Sequence, residues 1–174
     1  MNSVRRLLCS DRAVAAVEMA LVAPLLLIIM MGSFELGNYF LDEHALVKGV
    51  RDGARFAARL PFSYYTACSG PPAAPLGDPR DPVAETKNVV MTGLTSGGTR
   101  RLAKWSATTI AVTHTCSTSA GGTPLSGIYR STANGAPVVT VSASVPYVPI
   151  LQSFGFRGTN YSLNAKQYSA VMGI

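Results

Sequence analysis

Residues 14–34, VAAVEMALVAPLLLIIMMGSF, form an apolar run whose single charge is Glu18. At about 1.5 Å per helical residue the run is about 31 Å long, close to a hydrocarbon core of roughly 30 Å. A core helix of a water-soluble domain could be as long. The inner stretch ALVAPLLLIIMM, however, has no polar face to turn toward solvent. The run therefore predicts one transmembrane helix. Arg5, Arg6 and Arg12 precede it, against one acid, Asp11. The positive-inside rule then keeps the N-terminus in the cytoplasm and exports the chain beyond Phe34. A secretory signal also pairs a basic start with an apolar core. Here Glu18 interrupts that core and GSFELGNYF offers no small-x-small cleavage site, so the run reads as an anchor.

Outward from the run the helical period continues. Leu36, Tyr39 and Phe40, then Leu46, Val47, Val50, Ala54 and Ala57, recur at steps of three and four until Pro61 stops the pattern. A continuous helix from Val14 to Leu60 would be roughly 70 Å long, half in the bilayer and half a spine for the exported domain. Pro24 is expected to kink it. Lys48, Arg51, Arg55 and Arg59 form a basic stripe on the other side. Like charges at that spacing repel mildly, and Asp52, Asp78, Asp81 and Glu85 are candidate partners. A solvated face is one reading of the stripe, a subunit contact another.

Residues 61–82, PFSYYTACSGPPAAPLGDPRDP, are rich in Pro, Gly and small residues and read as a loop. Asp81 followed by Pro82 supplies an N-cap and a first helical position. A short helix comes next in VAETKNVVMTGL, with Val83, Val90 and Leu94 on one side, and TSGGTRR breaks it. Three stretches then alternate as strands: ATTIAVTHTC, APVVTVSASVPYV and NYSLNAKQYSAVM. Ile110 and Val112 share one phase; Val139, Val141, Ala143 and Val145 another; Tyr161, Leu163, Ala165, Gln167 and Ser169 the third. Asn134–Gly135 is a candidate hairpin turn before the second. The fold class is α+β: a long N-terminal transmembrane and spine helix packed on a small antiparallel sheet. The expected divisions are a basic cytoplasmic leader at 1–13, the transmembrane helix at 14–34, the spine at 35–60 and an exported α+β domain at 61–174.

The chain has 174 residues, a net charge of +6 and 48 % hydrophobic content. Beyond tail and span about 140 residues remain, enough for one compact domain. No basic patch interleaves with aromatics, which argues against nucleic acid as a partner. The histidines are His44 and His114, and there is no Gly-x-Ser-x-Gly, His-Glu-x-x-His or phosphate-cradling loop. No enzymatic activity and no cofactor are expected. His114 and Cys116 alone lack companions for a metal site. Cys9 lies in the cytoplasmic tail, whereas Cys68 and Cys116 fall in the exported part, where disulfides persist. These two are expected to pair, closing a loop of about 49 residues for a contribution on the order of 4 kcal/mol. Two buried free thiols are the alternative.

A carboxylate at the centre of a membrane helix costs about 2.5–3.5 kcal/mol, less toward an interface. Glu18 could snorkel or be protonated, or it could pair with a positive charge from another subunit. The stretch RRLLCSDRAVAAVEMALVAPLLLIIMMGSFELGNYF resembles the N-terminus of TadE/TadG-like pseudopilins, minor pilin-like proteins of the tight-adherence (Flp-type IVb) pilus system. The likeness continues through ELGNYFLDEHALVKGVRDGARFAAR and more loosely beyond. The resemblance implies cleavage by a prepilin peptidase between Ala13 and Val14, making Glu18 the fifth mature residue. It implies that a freed amine, of the same or a neighbouring subunit, neutralises Glu18 in assembly. Ala13 stands where the family usually has Gly, and Met19 where an aromatic is common. Implied partners are other pilin and pseudopilin subunits, the prepilin peptidase and the bacterial inner membrane; the implied role is pilus assembly in adherence and biofilm formation. An uncleaved single-span accessory or adhesin-like protein of the same apparatus is the first rival reading. An exported binding domain on a plain anchor is the second.

Overall fold

The computed structural model describes residues 11–173 except 131, 133 and 155–160. Helix α1 spans Asp11–Ala58 with Pro24 inside it. Helix α2 spans Pro82–Thr92. Among the described residues the strands, in chain order, are β1 (Ser69–Gly70), β2 (Ile110–Ser117), β3 (Ser119–Ala120), β4 (Thr123–Pro124), β5 (Ala136–Pro146) and β6 (Ser162–Ala170). The main sheet has the order β1-β2-β5-β6, antiparallel throughout, and β3 and β4 make a separate two-stranded ribbon. The class is α+β, a long apolar N-terminal helix with a small antiparallel sheet.

Two compact units divide the chain: Met1–Phe40 with Pro149–Arg157, and Leu41–Val148 with Gly158–Ile174. In the second unit the last turns of α1 bury Leu46, Val50, Ala54, Ala57 and Ala58. Gly49 and Gly53 lie on the same stripe and are buried or nearly so, completing the three- and four-residue steps of a packed helix face. They let α1 approach α2 closely. A Cβ on Gly49 would stand 2.5 Å from the Val90 carbonyl oxygen and 2.6 Å from the Trp105 ring, and one on Gly53 2.2 Å from a Val90 methyl. Val47, expected on this stripe, is instead 36 % exposed. It precedes the Gly49 contact by two residues and so points off the buried face.

Helix α2 begins as its sequence dictates. The Asp81 carboxylate accepts hydrogen bonds from the Val83 and Ala84 N–H groups at 3.0 Å, with Pro82 in the first turn. It ends at Gly93, whose φ of 87° suits a residue without a Cβ and whose N–H reaches the Val89 carbonyl. Its buried face is Pro82, Thr86, Val89, Val90 and Met91. Leu94, expected to extend that face, lies beyond the cap and is exposed.

The strand phases give the sheet one dry and one wet side. Ile110, Val112, Val139, Val141, Ala143, Val145 and Leu163 are buried, and Thr113, Ser144 and Asn164 on the alternate positions are exposed. Tyr161 precedes β6 and is exposed, so the inward phase of that strand starts at Leu163. Asn134–Gly135 turns the chain into β5, with the Gly135 N–H on the Thr132 carbonyl. It is not a two-strand hairpin loop, because the β3–β4 ribbon and a 3-10 turn at Gly127–Tyr129 intervene after β2. Gly is required there for a different reason: a Cβ would meet the Ser117 carbonyl oxygen at 2.3 Å.

Candidate functional site

The first unit is organised by α1. From Val14 to Met30 nearly every side chain is exposed, including Val17, Leu21, Leu26, Ile28 and Ile29 on all sides of the helix. A helix apolar all round and covered by none of its own chain needs an apolar environment from outside. It is long and apolar enough to cross a membrane, which fits a single-pass anchor. Its polar groups are handled locally. Ser33 donates its hydroxyl to the Ile29 carbonyl at 2.9 Å, which hides the hydroxyl in the helix's own backbone.

Glu18 lies on this helix one turn after Val14, and both are exposed. Among the described residues Glu18 has no hydrogen-bond or ion-pair partner. The backbone of α1 is already helical at Ala13, so the Ala13–Val14 bond lies inside the helix. The first unit also holds a contact that no sequence pattern announces. The Leu151 N–H, in a 3-10 turn at Ile150–Phe154, donates to the Glu35 carboxylate at 3.1 Å. The two residues are far apart in sequence, and an acid at a helix position predicts no partner 116 residues away.

The second unit carries the remaining candidates. Cys68 and Cys116 form a disulfide with a Cα–Cα distance of 5.0 Å. It fastens the loop after α1 to the end of β2, where β1 pairs through Ser69 with Thr115 and Gly70 with His114. The Asn134 amide adds a bond to the Thr66 carbonyl at 2.9 Å. Cys116 is thereby removed as a thiolate ligand. His114 is buried edge-on to the Tyr65 ring, with centroids 5.2 Å apart and neither ring nitrogen hydrogen-bonded. Among the described residues no group of three His, Cys, Asp or Glu is placed to hold a metal ion.

Among the described residues no ion pair joins the basic stripe to Asp52, Asp78, Asp81 or Glu85. Arg51, Arg55 and Arg59 are exposed, as is Lys48. Asp52 instead binds Arg101 at 2.8 Å, and Asp81 caps α2. Asp78 is held by the Tyr64 hydroxyl and the Arg80 backbone N–H. The Tyr64 bond, then the Arg80 bond, keep the Asp78 carboxyl below its usual range, and the same bond to Asp78 raises the Tyr64 phenol. Arg80 also donates to the Tyr64 oxygen at 2.7 Å and stacks over its ring. This cluster ties the loop together. Burial lifts the Tyr65 phenol well above its ordinary value, and its hydroxyl donates to the Ala57 carbonyl at the end of α1.

Two concavities open to solvent on this unit. One on the wet side of the sheet is lined by Ser142, Ser144, Asn164 and Lys166, the other beside α2 by Asp81, Lys87 and Asn88. Ser142 and Lys166 are cross-strand neighbours in the first, but among the described residues no hydrogen bond joins the hydroxyl to the amine. The segment that stands out chemically is therefore the exposed apolar helix with Glu18 inside it.

Comparison with known proteins points to the same segment. Residues 13–55 match the family described as TadE-like protein. No curated protein and no solved structure matches the chain. The matched range starts at Ala13, takes in Glu18 and the whole apolar run, and ends within the stripe of α1 that packs on α2. This stretch of the chain is similar to TadE-like proteins.

Proposed function

We propose, from this TadE-like N-terminal helix, that the chain is a structural, non-enzymatic minor pilin or pseudopilin of a tight-adherence (Flp-type) pilus. It serves in assembly of the pilus, and through it in adherence and biofilm formation. In this reading residues 1–13 are a cytoplasmic leader, 14–34 cross the inner membrane, 35–60 are the spine and 61–174 the exported domain. Arg5, Arg6 and Arg12 hold the leader inside, and the exported part lies in the periplasm, where its disulfide is stable.

The observation that carries the proposal is the largely exposed apolar helix bearing one carboxylate that has no partner among the described residues. Hydrocarbon can cover the helix, but it cannot satisfy Glu18. Cleavage by a prepilin peptidase between Ala13 and Val14 would leave an ammonium at Val14. First and fifth residues of a helix share a face, so that ammonium can neutralise Glu18 of its own chain or of an adjacent pilin subunit. The pair would fix the axial register at which helices pack. The unbroken helix through Ala13–Val14, with Ala13 in place of Gly, favours a second reading, an uncleaved accessory protein of the same apparatus. A peptidase needs an unwound bond.

Intact mass and N-terminal sequencing of the membrane-fraction protein, made together with its prepilin peptidase, test the proposal. A new N-terminus at Val14 is expected. A retained tail would refute processing and leave the uncleaved accessory protein. A start beyond Phe34 would refute the anchor itself.

A further inference from the structure

We infer that the turn Ile150–Phe154 is a second, shallow membrane contact, seated in the headgroup region of the outer side of the bilayer where α1 emerges. The inference rests on the membrane reading of α1 and extends it to a part of the chain far from the helix in sequence. The segment connects β5 to β6, yet residues 149–157 cluster with residues 1–40 and not with the sheet they join. The Leu151 N–H, bound to the Glu35 carboxylate, ties the turn to α1. Glu35 is the residue directly after Phe34, the last of the apolar run. A run of about 31 Å fills the hydrocarbon core, so Glu35 marks its edge, and a turn hydrogen-bonded to Glu35 lies at that edge too.

The composition of the turn suits that level. Its sequence is ILQSF, flanked by Pro149. Ile150 is 63 % exposed. The stretch of α1 around Glu35 is of the same kind. Phe34, Leu36 and Phe40 are exposed, and Tyr39 and Phe40 make an edge-on aromatic pair with centroids 6.0 Å apart. Aromatic rings and large aliphatics gather where acyl chains give way to headgroups. In water Phe34, Leu36, Phe40 and Ile150 would be exposed apolar side chains. At the membrane boundary it is continuous with the apolar surface of the span, and lipid covers both. The Glu35 bond also spares a carboxylate at the boundary part of its desolvation cost, since the Leu151 amide replaces a water.

The test uses the full chain in vesicles of phosphatidylcholine and phosphatidylglycerol. An environment-sensitive fluorophore is attached at Ile150→Cys in a Cys9→Ser background, leaving the disulfide intact. Ile150 is exposed, so the label displaces no core contact. Two further chains carry the label at Leu27→Cys, within the span, and at Leu76→Cys, which is fully exposed on the second unit. The expected result is a blue shift of the Ile150 label relative to the Leu76 label, protection from iodide, and a larger intensity loss with shallow than with deep nitroxide lipids. An Ile150 label as open to iodide as that at Leu76, with the Leu27 label still quenched by deep nitroxides, would overturn the inference and leave the span standing. Loss of deep quenching at Leu27 would overturn both. A blue shift at Ile150 that lipid nitroxides leave untouched, and that disappears on dilution of the protein in lipid, would overturn the lipid contact in favour of a second copy.

Discussion

Replacing Gly49 by alanine puts two opposing effects on one atom. In an exposed helix the change gains about 1 kcal/mol, because alanine loses less backbone freedom on folding. Gly49 is packed against a neighbour instead. A Cβ there meets the Val90 carbonyl oxygen at 2.5 Å and the Trp105 ring at 2.6 Å, both far inside ordinary contact. The carbonyl belongs to the backbone of α2 and cannot rotate away, and Trp105 is completely buried. The helices must separate by about 1 Å to restore normal contact, and that loosens the dispersion contacts along the whole seam. Overpacking of this kind costs about 1–3 kcal/mol, and a fixed backbone obstacle places it at the upper end. After the helix gain is subtracted, about 2 kcal/mol of destabilisation remains.

For a domain of this size that shift lowers Tm by about 8 °C. Thermal unfolding of the full chain in detergent reads it directly, because the single tryptophan of the chain, Trp105, sits at the contact. Gly32→Ala is the comparison. A Cβ at Gly32 meets nothing within 4 Å, so the Trp105 transition should stay where it is. A Gly49→Ala chain as stable as the parent, or more stable, would refute the close-packing account of α1 and α2. Equal losses at Gly32 and Gly49 would show that helix flexibility, not the seam, sets stability.

Reducing the Cys68–Cys116 disulfide, or replacing both cysteines by serine, should cost on the order of 4 kcal/mol in the chain-entropy model. Hydrogen exchange should then rise first at Ser69 and Gly70, whose pairing with β2 the bond secures; unchanged exchange there would show that the short strand holds by itself. Acid should weaken the loop cluster at Asp78. Its carboxyl is held below the usual range by the Tyr64 hydroxyl and the Arg80 N–H, so the folded state binds the proton less readily than the unfolded one. The resulting stabilisation is complete above the ordinary carboxylate value of about 4 and disappears as pH falls through the lower folded value. Tyr64→Phe should flatten that part of the stability–pH curve, and an unaltered acid limb would assign it to other carboxylates.

Much of this fold is visible in the residue pattern because its signals are local. The apolar run, the three- and four-residue stripe Leu46, Val50, Ala54 and Ala57, the Asp81–Pro82 cap and the two-residue alternation of Val139 to Val145 each depend on neighbours a few positions away. The features hidden from the pattern depend on distant partners. Arg101 sits in a helix-breaking segment by sequence, yet it reaches back to Asp52 and takes the acid that charge balance assigns to the basic stripe of α1. Gly49 and Gly53 permit bending or close packing, and only the position of Val90 and Trp105 decides for close packing. Leu94 matches the apolar face of α2 by spacing but falls outside it, because Gly93 ends the helix one residue earlier.

The same distinction separates the two halves of the candidate site. Glu18 is legible from sequence alone because its anomaly is local, one carboxylate in an apolar run, and its chain supplies no described partner. Glu35, on the same helix, gives no such signal, and its chain does supply a partner, the Leu151 amide. Two acids bracket most of the apolar run, one near its start and one directly after its end, and they are treated oppositely. The one at the end is satisfied internally by a loop returning from the second half of the chain. The one near the start has no partner among the described residues. A plain anchor gains nothing from an unsatisfied carboxylate in the bilayer, and the TadE-like match covers both acids. In the proposed function the reason to keep Glu18 is a charge that arrives on processing or assembly, and on that reading Glu18→Gln should leave folding and membrane insertion intact while removing that interaction.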